Sequence, residues 1–148
     1  MAKRTAALPY DVYNRKEAKA YVKDKPYSFL RIDRPETAFD EDFDMYSDEA
    51  YKKAKELLEG DIEAGIYIKD NEEAYYIYEL TMNSRSQSGI VACAAIDDYV
   101  ENRIKKHENT RVQKELDRIR HIDTLSAQTG AIFLAYKSCA GLKNIIEN

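Results

Sequence analysis

The stretch IKKHENTRVQKELDRIRHIDTLSAQTG, residues 104–130, is the part of the chain around which we expect the rest to be organised. It contains both histidines, His107 and His121, and it combines a basic start with a long run rich in Arg and Asp. The run from Arg111 to about Gln128 predicts a helix, and Thr110 is placed to be its N-cap. The same stretch therefore predicts a helix and a cluster of polar side chains.

The two sides of this predicted helix differ in polarity. At about 100° per residue, the apolar side chains fall in one arc, which we expect to be buried. The arc consists of Val112, Leu116, Ile119, Ile122 and Ala127, and the opposite side carries Asp117, His121, Thr124 and Gln128. Asp117 and His121 are one helical turn apart, so we expect a hydrogen bond between them that raises the pKa of the imidazole. The polar side is either a solvated helix face with an ordinary pair or the wall of a site.

The dipeptide His107-Glu108 is the second candidate element of a site. Basic neighbours would keep the Glu108 carboxyl ionised, as a general base or a metal-binding oxygen requires. A zinc motif of the HExxH type would need a second histidine at position 111, where the chain has Arg111. Neither histidine is accompanied by other potential zinc ligands at a suitable spacing, so the pattern predicts no metal site.

The start of the predicted helix adds an anion site to this candidate. Free N–H groups and the positive end of the helix dipole favour a bound anion at Asn109, Thr110 and Arg111. Glu108 would lie at the edge of this site, and the polar side of the helix would form the cleft wall further along. In the alternative interpretation Thr110 is only a cap, Arg111 is solvated, and Glu108 pairs with a neighbouring lysine.

Composition excludes several classes of function. The chain has 148 residues, of which 44% are hydrophobic and 34% charged, with a net charge of −4. This acidic balance argues against a nucleic-acid partner, and no apolar run approaches the length of a membrane span. The two cysteines, Cys93 and Cys139, fit a reducing cytoplasm without a disulfide framework. We expect Cys93 to be buried in a central strand.

Two helices upstream have clear start and stop signals. Asn14 is a suitable N-cap for a helix over Arg15–Lys23, and Ser47 starts a helix that runs to about Glu63. Gly65 is suited to end the second helix, because glycine adopts the left-handed conformation that often follows a helix.

Strand signals occur in five stretches, which are residues 27–32, 66–68, 74–82, 90–96 and 131–136. The third and fourth are expected to form a hairpin with residues 84–88 at its tip. The acidic segment 33–46 lacks the glycine of a calcium loop, which favours a solvated loop. The mixture predicts an α+β or mixed α/β fold, a β-sheet with packed helices, in a single domain over residues 1–148.

Five motifs together resemble a known family. They are ALPYDV, PYSFLRID, TMNSRSQSGIVACAAIDDYV, IKKHENT and DRIRHIDTLSAQTGAIFL. They resemble a bacterial and archaeal family, the domain of unknown function 1015, over Ala6 to Tyr136. Its members are longer and continue into a segment that reads Asp-Gly-His-His-Arg. The resemblance therefore implies that this chain corresponds to the N-terminal part of a longer architecture.

A more distant similarity leads to the free-serine kinases of the ParB-like superfamily, which combine an IKxHE-type segment with Asp-Gly-His-His-Arg. By this resemblance Glu108 would be the catalytic base toward a small hydroxyl substrate. His107, the second catalytic residue, would lie near the phosphate together with Arg111 and Arg118. The residues assigned to substrate and phosphate binding are Asn109, Thr110, Arg111, Asp117, Arg118, His121 and Thr124. The implied cofactor is ADP or ATP with magnesium. Because the downstream motif is absent from this chain, we expect no kinase activity from the chain by itself.

Two classes of function are compatible with these patterns. The first is a nucleotide-dependent small-molecule phosphotransferase. The second is a non-catalytic module, either one that binds a small-molecule or nucleotide ligand or one with a regulatory role. The sequence has no GxxxxGK, GxGxxG or GxSxG motif, so the common nucleotide and hydrolase signatures are missing. Apolar surface left uncovered in such a chain would favour self-association.

Overall fold

The computed structural model describes residues 2–106, 109–137 and 139–147. The helices, in chain order, are α1 (Ala2–Thr5), α2 (Arg15–Val22), α3 (Leu30–Asp33), α4 (Asp48–Glu63), α5 (Ile96–Val100), α6 (Val112–Leu125) and α7 (Ala140–Glu147). Short 3₁₀ turns cover Tyr10–Val12 and Pro35–Ala38, and strands β1 (Tyr76–Met82) and β2 (Arg85–Val91) form an antiparallel sheet. The predicted mixed α+β class is confirmed.

The chain divides into two compact units. The first consists of Met1–Lys69 with Thr110–Thr129, and the second of Asp70–Asn109 with Gly130–Asn148. The first unit thus combines α6 with helices that lie far before it in the sequence. Within the described residues, no helix combines the length and the apolar character needed to cross a membrane. A single domain over the whole chain stays a prediction.

The two upstream helices start where the sequence predicted. At α2, the Asn14 side chain accepts a hydrogen bond from the Glu17 N–H at 3.0 Å, and the Glu17 carboxylate accepts one from the Asn14 N–H at 2.9 Å. This reciprocal pair satisfies donors that a helix start leaves open. At α4, the Ser47 hydroxyl accepts from the Ala50 N–H at 3.4 Å. Gly65 follows the end of α4 with a φ of 68°, where a side chain would be strained.

The predicted strand over residues 27–32 is wrong, because this segment turns into α3. The backbone N–H groups of Arg31 and Ile32 donate to the carbonyl groups of Ser28 and Phe29. A strand needs a neighbour to fill its backbone hydrogen bonds, whereas a helical turn fills them locally. No strand pairs with this segment among the described residues, and Ile32 therefore reaches the core from a helix.

The core of the first unit lies where α3, α4 and α6 meet. Its buried members Ile32, Ala54 and Leu125 come from these three helices. Partly buried side chains pack against them, namely Phe29, Leu57, Leu58, Tyr67 and Ala127. This core holds α6 against α3 and α4, and so determines which side of α6 faces inward.

The inward side of α6 is not the predicted one. Val112, Leu116 and Ile119 were expected to be buried, but they are 69%, 54% and 47% exposed. Asp117 and His121 were expected on the open side, but they are 8% and 1% exposed. Polar side chains are buried here because α3 and α4 present hydrogen-bonding groups to them, which offsets the loss of water.

The start of α6 also differs from the prediction. Arg111, not Thr110, is the residue before the first helical turn, and no side chain caps that turn. At the other end the helix stops at Leu125, because Ser126 takes a left-handed conformation with a φ of 51°. The predicted cap at Thr110 is therefore wrong, and the helix ends before Gln128.

The second unit contains the predicted hairpin. Strands β1 and β2 pair along their whole length, with Met82 opposite Arg85. Asn83 and Ser84 alone connect them, and both have positive φ values, 52° and 61°. Two positive values in a two-residue loop produce the tight hairpin turn whose twist matches that of the strands. The predicted tip at residues 84–88 is wrong, since residues 85–88 belong to β2.

The other predicted strands do not form. Residues 66–68 and 131–136 are irregular, and β2 stops at Val91 instead of continuing to Ile96. The prediction that Cys93 is buried in a central strand is also wrong, because this residue is exposed and lies beyond β2. A two-stranded ribbon has two edges and no central strand, so it offers no interior position of that kind.

Candidate ligand pocket

The predicted site residues fall into three groups. His107 and Glu108 lie outside the described residues. Asn109, Thr110 and Arg111 are exposed in the non-helical segment before α6. The remaining four, Asp117, Arg118, His121 and Thr124, are on α6. The first three of these four share one cavity, and Thr124 lies outside it.

The cavity has a volume of about 370 Å³ and lies within the first unit. Its walls come from α3, α4, α6 and the two 3₁₀ turns, and they include Tyr10, Asp33, Arg34, Tyr51, Asp117, Arg118 and His121. A volume of this size holds a small molecule. Because most of these side chains are polar, a bound molecule would be recognised through hydrogen bonds and charge.

Asp117 connects two walls of the cavity. Its Oδ1 accepts a hydrogen bond from the Tyr51 hydroxyl of α4 at 2.9 Å. Its Oδ2 accepts hydrogen bonds from Nε and Nη2 of Arg118 at 3.2 and 3.0 Å. Burial raises the pKa of Tyr51 to about 12, and the bond to Asp117 acts in the same direction. Tyr51 therefore remains a hydrogen-bond donor at neutral pH.

Arg118 is held in place from two directions. Besides its pair with Asp117, its guanidinium group lies 4.5 Å from the centre of the Tyr10 ring. A planar guanidinium stacks well on an aromatic face, and a paired and stacked arginine keeps one orientation. The side chain is 28% exposed, and Nη1 is not used by the pair with Asp117. Arg118 is therefore a preorganised cation at the edge of the cavity.

His121 is the most deeply buried polar side chain on the cavity wall. Its Nε2 lies 3.0 Å from the carbonyl oxygen of Ile32 in α3. A carbonyl oxygen can only accept, so Nε2 must carry a proton and donate it. In the neutral ring Nδ1 is then an acceptor, and this buried atom has no hydrogen-bond partner.

The electrostatic prediction for His121 is wrong in direction. Burial lowers the pKa of its imidazole and the charge of Arg118 adds to this, although the bond to Ile32 and the charges of Asp33 and Asp117 oppose it. No hydrogen bond joins His121 to Asp117, because the described partners of Asp117 are Tyr51 and Arg118. His121 is therefore a neutral ring at neutral pH.

Asp33 is a cavity residue that the sequence had placed in a solvated loop. Its Oδ1 accepts a hydrogen bond from the Thr129 hydroxyl at 3.2 Å. Burial raises the pKa of the Asp33 carboxyl, while the nearby charges of His121 and Arg118 and the bond from Thr129 lower it less. The carboxyl group of Asp33 thus takes up a proton more readily than an ordinary aspartate does.

A buried ion pair supports the Tyr10 side of the cavity. Arg34 donates from Nε to Glu36 at 2.5 Å, and from Nη1 to the carbonyl oxygens of Tyr10 and Tyr13 at 3.0 and 2.7 Å. These bonds fix the backbone that carries the Tyr10 ring. Asp33 ends the motif PYSFLRID and Tyr10 lies in ALPYDV, so the quoted motifs already contained these two residues, without a signal that they face one cavity.

The family model described as "Protein of unknown function (DUF1015)" matches the chain over residues 1–148. The chain belongs to this family. No curated protein and no solved structure matches the chain in the other comparisons. The resemblance to the domain of unknown function 1015 is thus confirmed.

Thr124 of this DUF1015 chain lines a second, shallower depression on the other side of Tyr51. That depression has a volume of about 220 Å³ and is lined by Asp48, Tyr51, Lys52, Arg120, Asp123 and Thr124. Arg120 pairs there with Asp48, and apart from Tyr51 none of the residues that line the depression is buried. The larger cavity is the better candidate for a site.

The chemistry available to the DUF1015 cavity is that of hydrogen bonding, charge and proton transfer. His121 contributes a buried neutral ring, Asp33 holds a proton more readily than usual, and Arg118 lies at the edge of the cavity with a fixed orientation. Across the described part of the chain, no three His, Cys, Asp or Glu side chains are grouped so that they could hold a metal ion.

Proposed function

We propose that the first unit of this DUF1015 chain is a module that binds a small polar molecule in the cavity beside α6. The observation that carries the proposal is the cavity of about 370 Å³, whose wall is mostly polar and includes the buried Asp117 and His121. A cavity of this size with convergent polar side chains is the usual form of a site for a small molecule.

Two further observations support binding at this place. Arg118 is already oriented by Asp117 and Tyr10, so a ligand would not have to order it, and preorganisation of this kind favours affinity. Arg34, which is paired with Glu36, fixes the backbone that carries Tyr10. The cavity is therefore bounded by side chains that keep their positions in the absence of a ligand.

Thermal shift measurements with serine, phosphoserine, ADP and ATP, followed by calorimetry of any compound that raises the Tm, test the proposal. Arg118→Gln should weaken binding of such a compound by about tenfold or more, since it removes a charged contact. Arg120→Gln is the matched control, because Arg120 is on the same helix but outside the cavity. A ligand that both variants bind as well as the natural chain would not be in this cavity.

The second candidate is a nucleotide-dependent phosphotransferase that acts on a small hydroxyl compound such as serine. The similarity of IKKHENT to the serine-kinase segment favours it, together with the position of His107-Glu108 just before the helix that carries Arg118 and His121. In this candidate ADP or ATP with magnesium and serine or phosphoserine each raise the Tm. A chain that binds a small molecule but no nucleotide would contradict the phosphotransferase and leave the binding module.

The proposal also includes a cytoplasmic location, no nucleic-acid partner and self-association. Self-association is supported by exposed apolar side chains on the hairpin, among them Tyr78, Leu80 and Met82, which are 57%, 58% and 76% exposed. Sedimentation velocity over a range of concentrations tests it. A strictly monomeric profile at the highest concentration would contradict this part.

A further inference from the structure

We propose that two copies of this DUF1015 chain associate through one face of the hairpin, and that the two hairpins stack on each other with their strands antiparallel. This face, called the apolar face, consists of Tyr76, Tyr78, Leu80 and Met82 of β1 and Arg85, Gln87, Gly89 and Val91 of β2. The inference rests on the self-association included in the proposed function, and it names the surface and the arrangement.

The opposite face of the hairpin is already suited to water. Residues paired across the two strands project to the same side, and neighbours along a strand project to opposite sides. On this opposite face the Ser88 hydroxyl donates to Glu79 at 3.1 Å, and the hydroxyl oxygens of Thr81 and Ser86 lie 2.6 Å apart. The third pair of this face is Ile77 with Ile90. An antiparallel sheet with one polar side normally packs its other side against a second layer.

The apolar face lacks such a layer and is large enough for a weak interface. Its five large apolar side chains are all exposed, namely Tyr76, Tyr78, Leu80, Met82 and Val91. At roughly 100 Å² each they form a patch of about 500 Å², at the upper end of the range for monomers. Two such patches bury about 1,000 Å² together, so we expect a dissociation constant on the order of 10–100 µM.

The shape of the apolar face is complementary to itself in an antiparallel stack. Gly89 lies opposite Tyr78, and none of the described atoms beyond its chain neighbours lies within 4 Å of the position that a Cβ would take. Reversing one hairpin over the other brings the Tyr78–Gly89 pair over the Leu80–Gln87 pair of the second copy. The Tyr78 ring then meets Leu80, and the longer Gln87 side chain enters the hollow over Gly89.

Charges at the two ends of the hairpin favour the same arrangement. Among the residues of β1 and β2 on the apolar face, only Arg85 is charged, and it lies at the turn. At the other end the Asp70 carboxylate accepts a hydrogen bond from the Tyr76 hydroxyl, which places an acid beside the apolar face. An antiparallel stack brings Arg85 of each copy toward Asp70 of the other, whereas a parallel stack would bring the two Arg85 side chains to the same end.

Sedimentation velocity of the full chain between about 5 and 500 µM measures the dimer, and two lysine variants on β1 form a matched pair. Leu80 and Thr81 are adjacent and exposed, so both variants should fold, which circular dichroism checks. Leu80→Lys places a charge within the interface and should raise the dissociation constant at least about tenfold. Thr81→Lys changes the opposite face and should alter it less than about threefold. Equal effects of the two variants would overturn the assignment of the surface.

A charge exchange tests the antiparallel arrangement. Arg85→Glu should raise the dissociation constant about two- to fivefold, because it turns an attraction to Asp70 of the second copy into a repulsion. Adding Asp70→Lys to Arg85→Glu should return the dissociation constant to within about twofold of that of the natural chain. No effect of Arg85→Glu, or no recovery in the double variant, would contradict the antiparallel stack.

The outcomes separate this inference from the function on which it rests. If the chain associates and Leu80→Lys associates as well as Thr81→Lys, the hairpin is not the interface and only this inference fails. If the natural chain is monomeric at the highest concentration, the proposed self-association fails as well. A monomeric chain that sediments with phosphatidylcholine vesicles, and loses this property in Leu80→Lys, would show that a lipid surface covers the apolar face in place of a second copy.

Discussion

The two units of this chain use apolar and polar residues in opposite ways. The first unit buries charged and polar side chains such as Glu36, Asp117 and His121, each with hydrogen-bond partners. The second unit is rich in Tyr, Ile and Leu, yet none of its described residues is buried. The difference shows that burial depends on whether another element lies against a surface, and not on how apolar that surface is.

The largest expected effect contrasts a core residue of the first unit with an apolar residue of the hairpin. Ile32→Ala should lower the free energy of unfolding by about 2–4 kcal/mol, because Ile32 is fully buried and its removal leaves a cavity. Leu80→Ala should change it by less than about 0.5 kcal/mol, since Leu80 is 58% exposed. Urea unfolding followed by circular dichroism measures both. Equal losses would show that the hairpin is packed against something in solution.

A somewhat smaller effect is expected when a buried carboxylate is removed. Asp117→Ala leaves the Tyr51 hydroxyl and Arg118 without their partner, which should cost about 1–3 kcal/mol. Glu101→Ala breaks an exposed pair with Arg103 in the second unit and should cost less than about 0.5 kcal/mol. Asp117→Asn should recover part of the loss, because its amide oxygen can still accept from Tyr51. The comparison between the units would weaken if Asp117→Ala were as mild as Glu101→Ala.

The pH dependence of stability should reveal the buried imidazole. Because burial lowers the pKa of His121 in the folded state, the unfolded chain binds more protons, and the free energy of unfolding should fall as pH drops below about 6.5. Protonation of Asp33 changes the free energy of unfolding in the opposite direction, at more acidic pH. Its folded pKa is raised, so folding is favoured as pH falls through that value.

Denaturant midpoints between pH 7.5 and 5.5 measure the His121 contribution. The natural chain should lose stability over this range, by about 1 kcal/mol for each unit by which the pKa is lowered, and His121→Asn should show a flatter profile. Asp33→Asn is the second variant, because it removes the group whose titration opposes that of His121 and leaves the imidazole in place. Parallel profiles for the natural chain and His121→Asn would mean that the ring is hydrated.

A smaller change is expected in the turn of the hairpin. Ser84 has a φ of 61°, a conformation that costs less for glycine than for serine. Ser84→Gly should therefore stabilise the hairpin by about 0.5–1 kcal/mol, since Asn-Gly is the preferred pair for this turn. Hydrogen exchange of the β1 and β2 amides measures this change in hairpin stability. Ser86→Gly is the control, because it places glycine inside β2 and should weaken the strand.

The smallest expected effect is the protection of a cysteine by folding. Cys93 is exposed and lies beyond β2. An alkylating reagent should therefore modify Cys93 in the folded chain at a rate within a few-fold of its rate in the urea-unfolded chain. Mass spectrometry of the labelled peptide separates Cys93 from Cys139. Strong protection of Cys93 in the native chain would contradict its exposed position and support the buried strand that the sequence predicted.

Local signals predicted the parts of the fold that depend on neighbouring residues. Asn14 and Ser47 marked the starts of α2 and α4, and Gly65 marked the end of α4, because capping involves atoms three or four residues apart. The hairpin was predicted for a similar reason, since two strands joined by a short turn pair with each other. The strand predicted at residues 27–32 failed because pairing would have required a remote partner.

The candidate site was predicted only in part. The sequence drew attention to Asp117, Arg118 and His121, which do share one cavity. Periodicity alone, however, indicated that the apolar arc of α6 would face inward. Asp33 and Tyr51 were not predicted to join the site, because nothing in their local sequence shows that α3 and α4 meet at α6.

The sequence by itself therefore determined the helix starts, the hairpin and the membership in the DUF1015 family. Only the tertiary structure decided that α6 turns its polar side inward. The carbonyl oxygen of Ile32 accepts from Nε2 of His121, and the hydroxyl of Tyr51 donates to Asp117, from 89 and 66 residues away in the chain. Whether a polar side chain can be buried depends on such remote partners, and a local pattern of hydrophobicity contains no information about them.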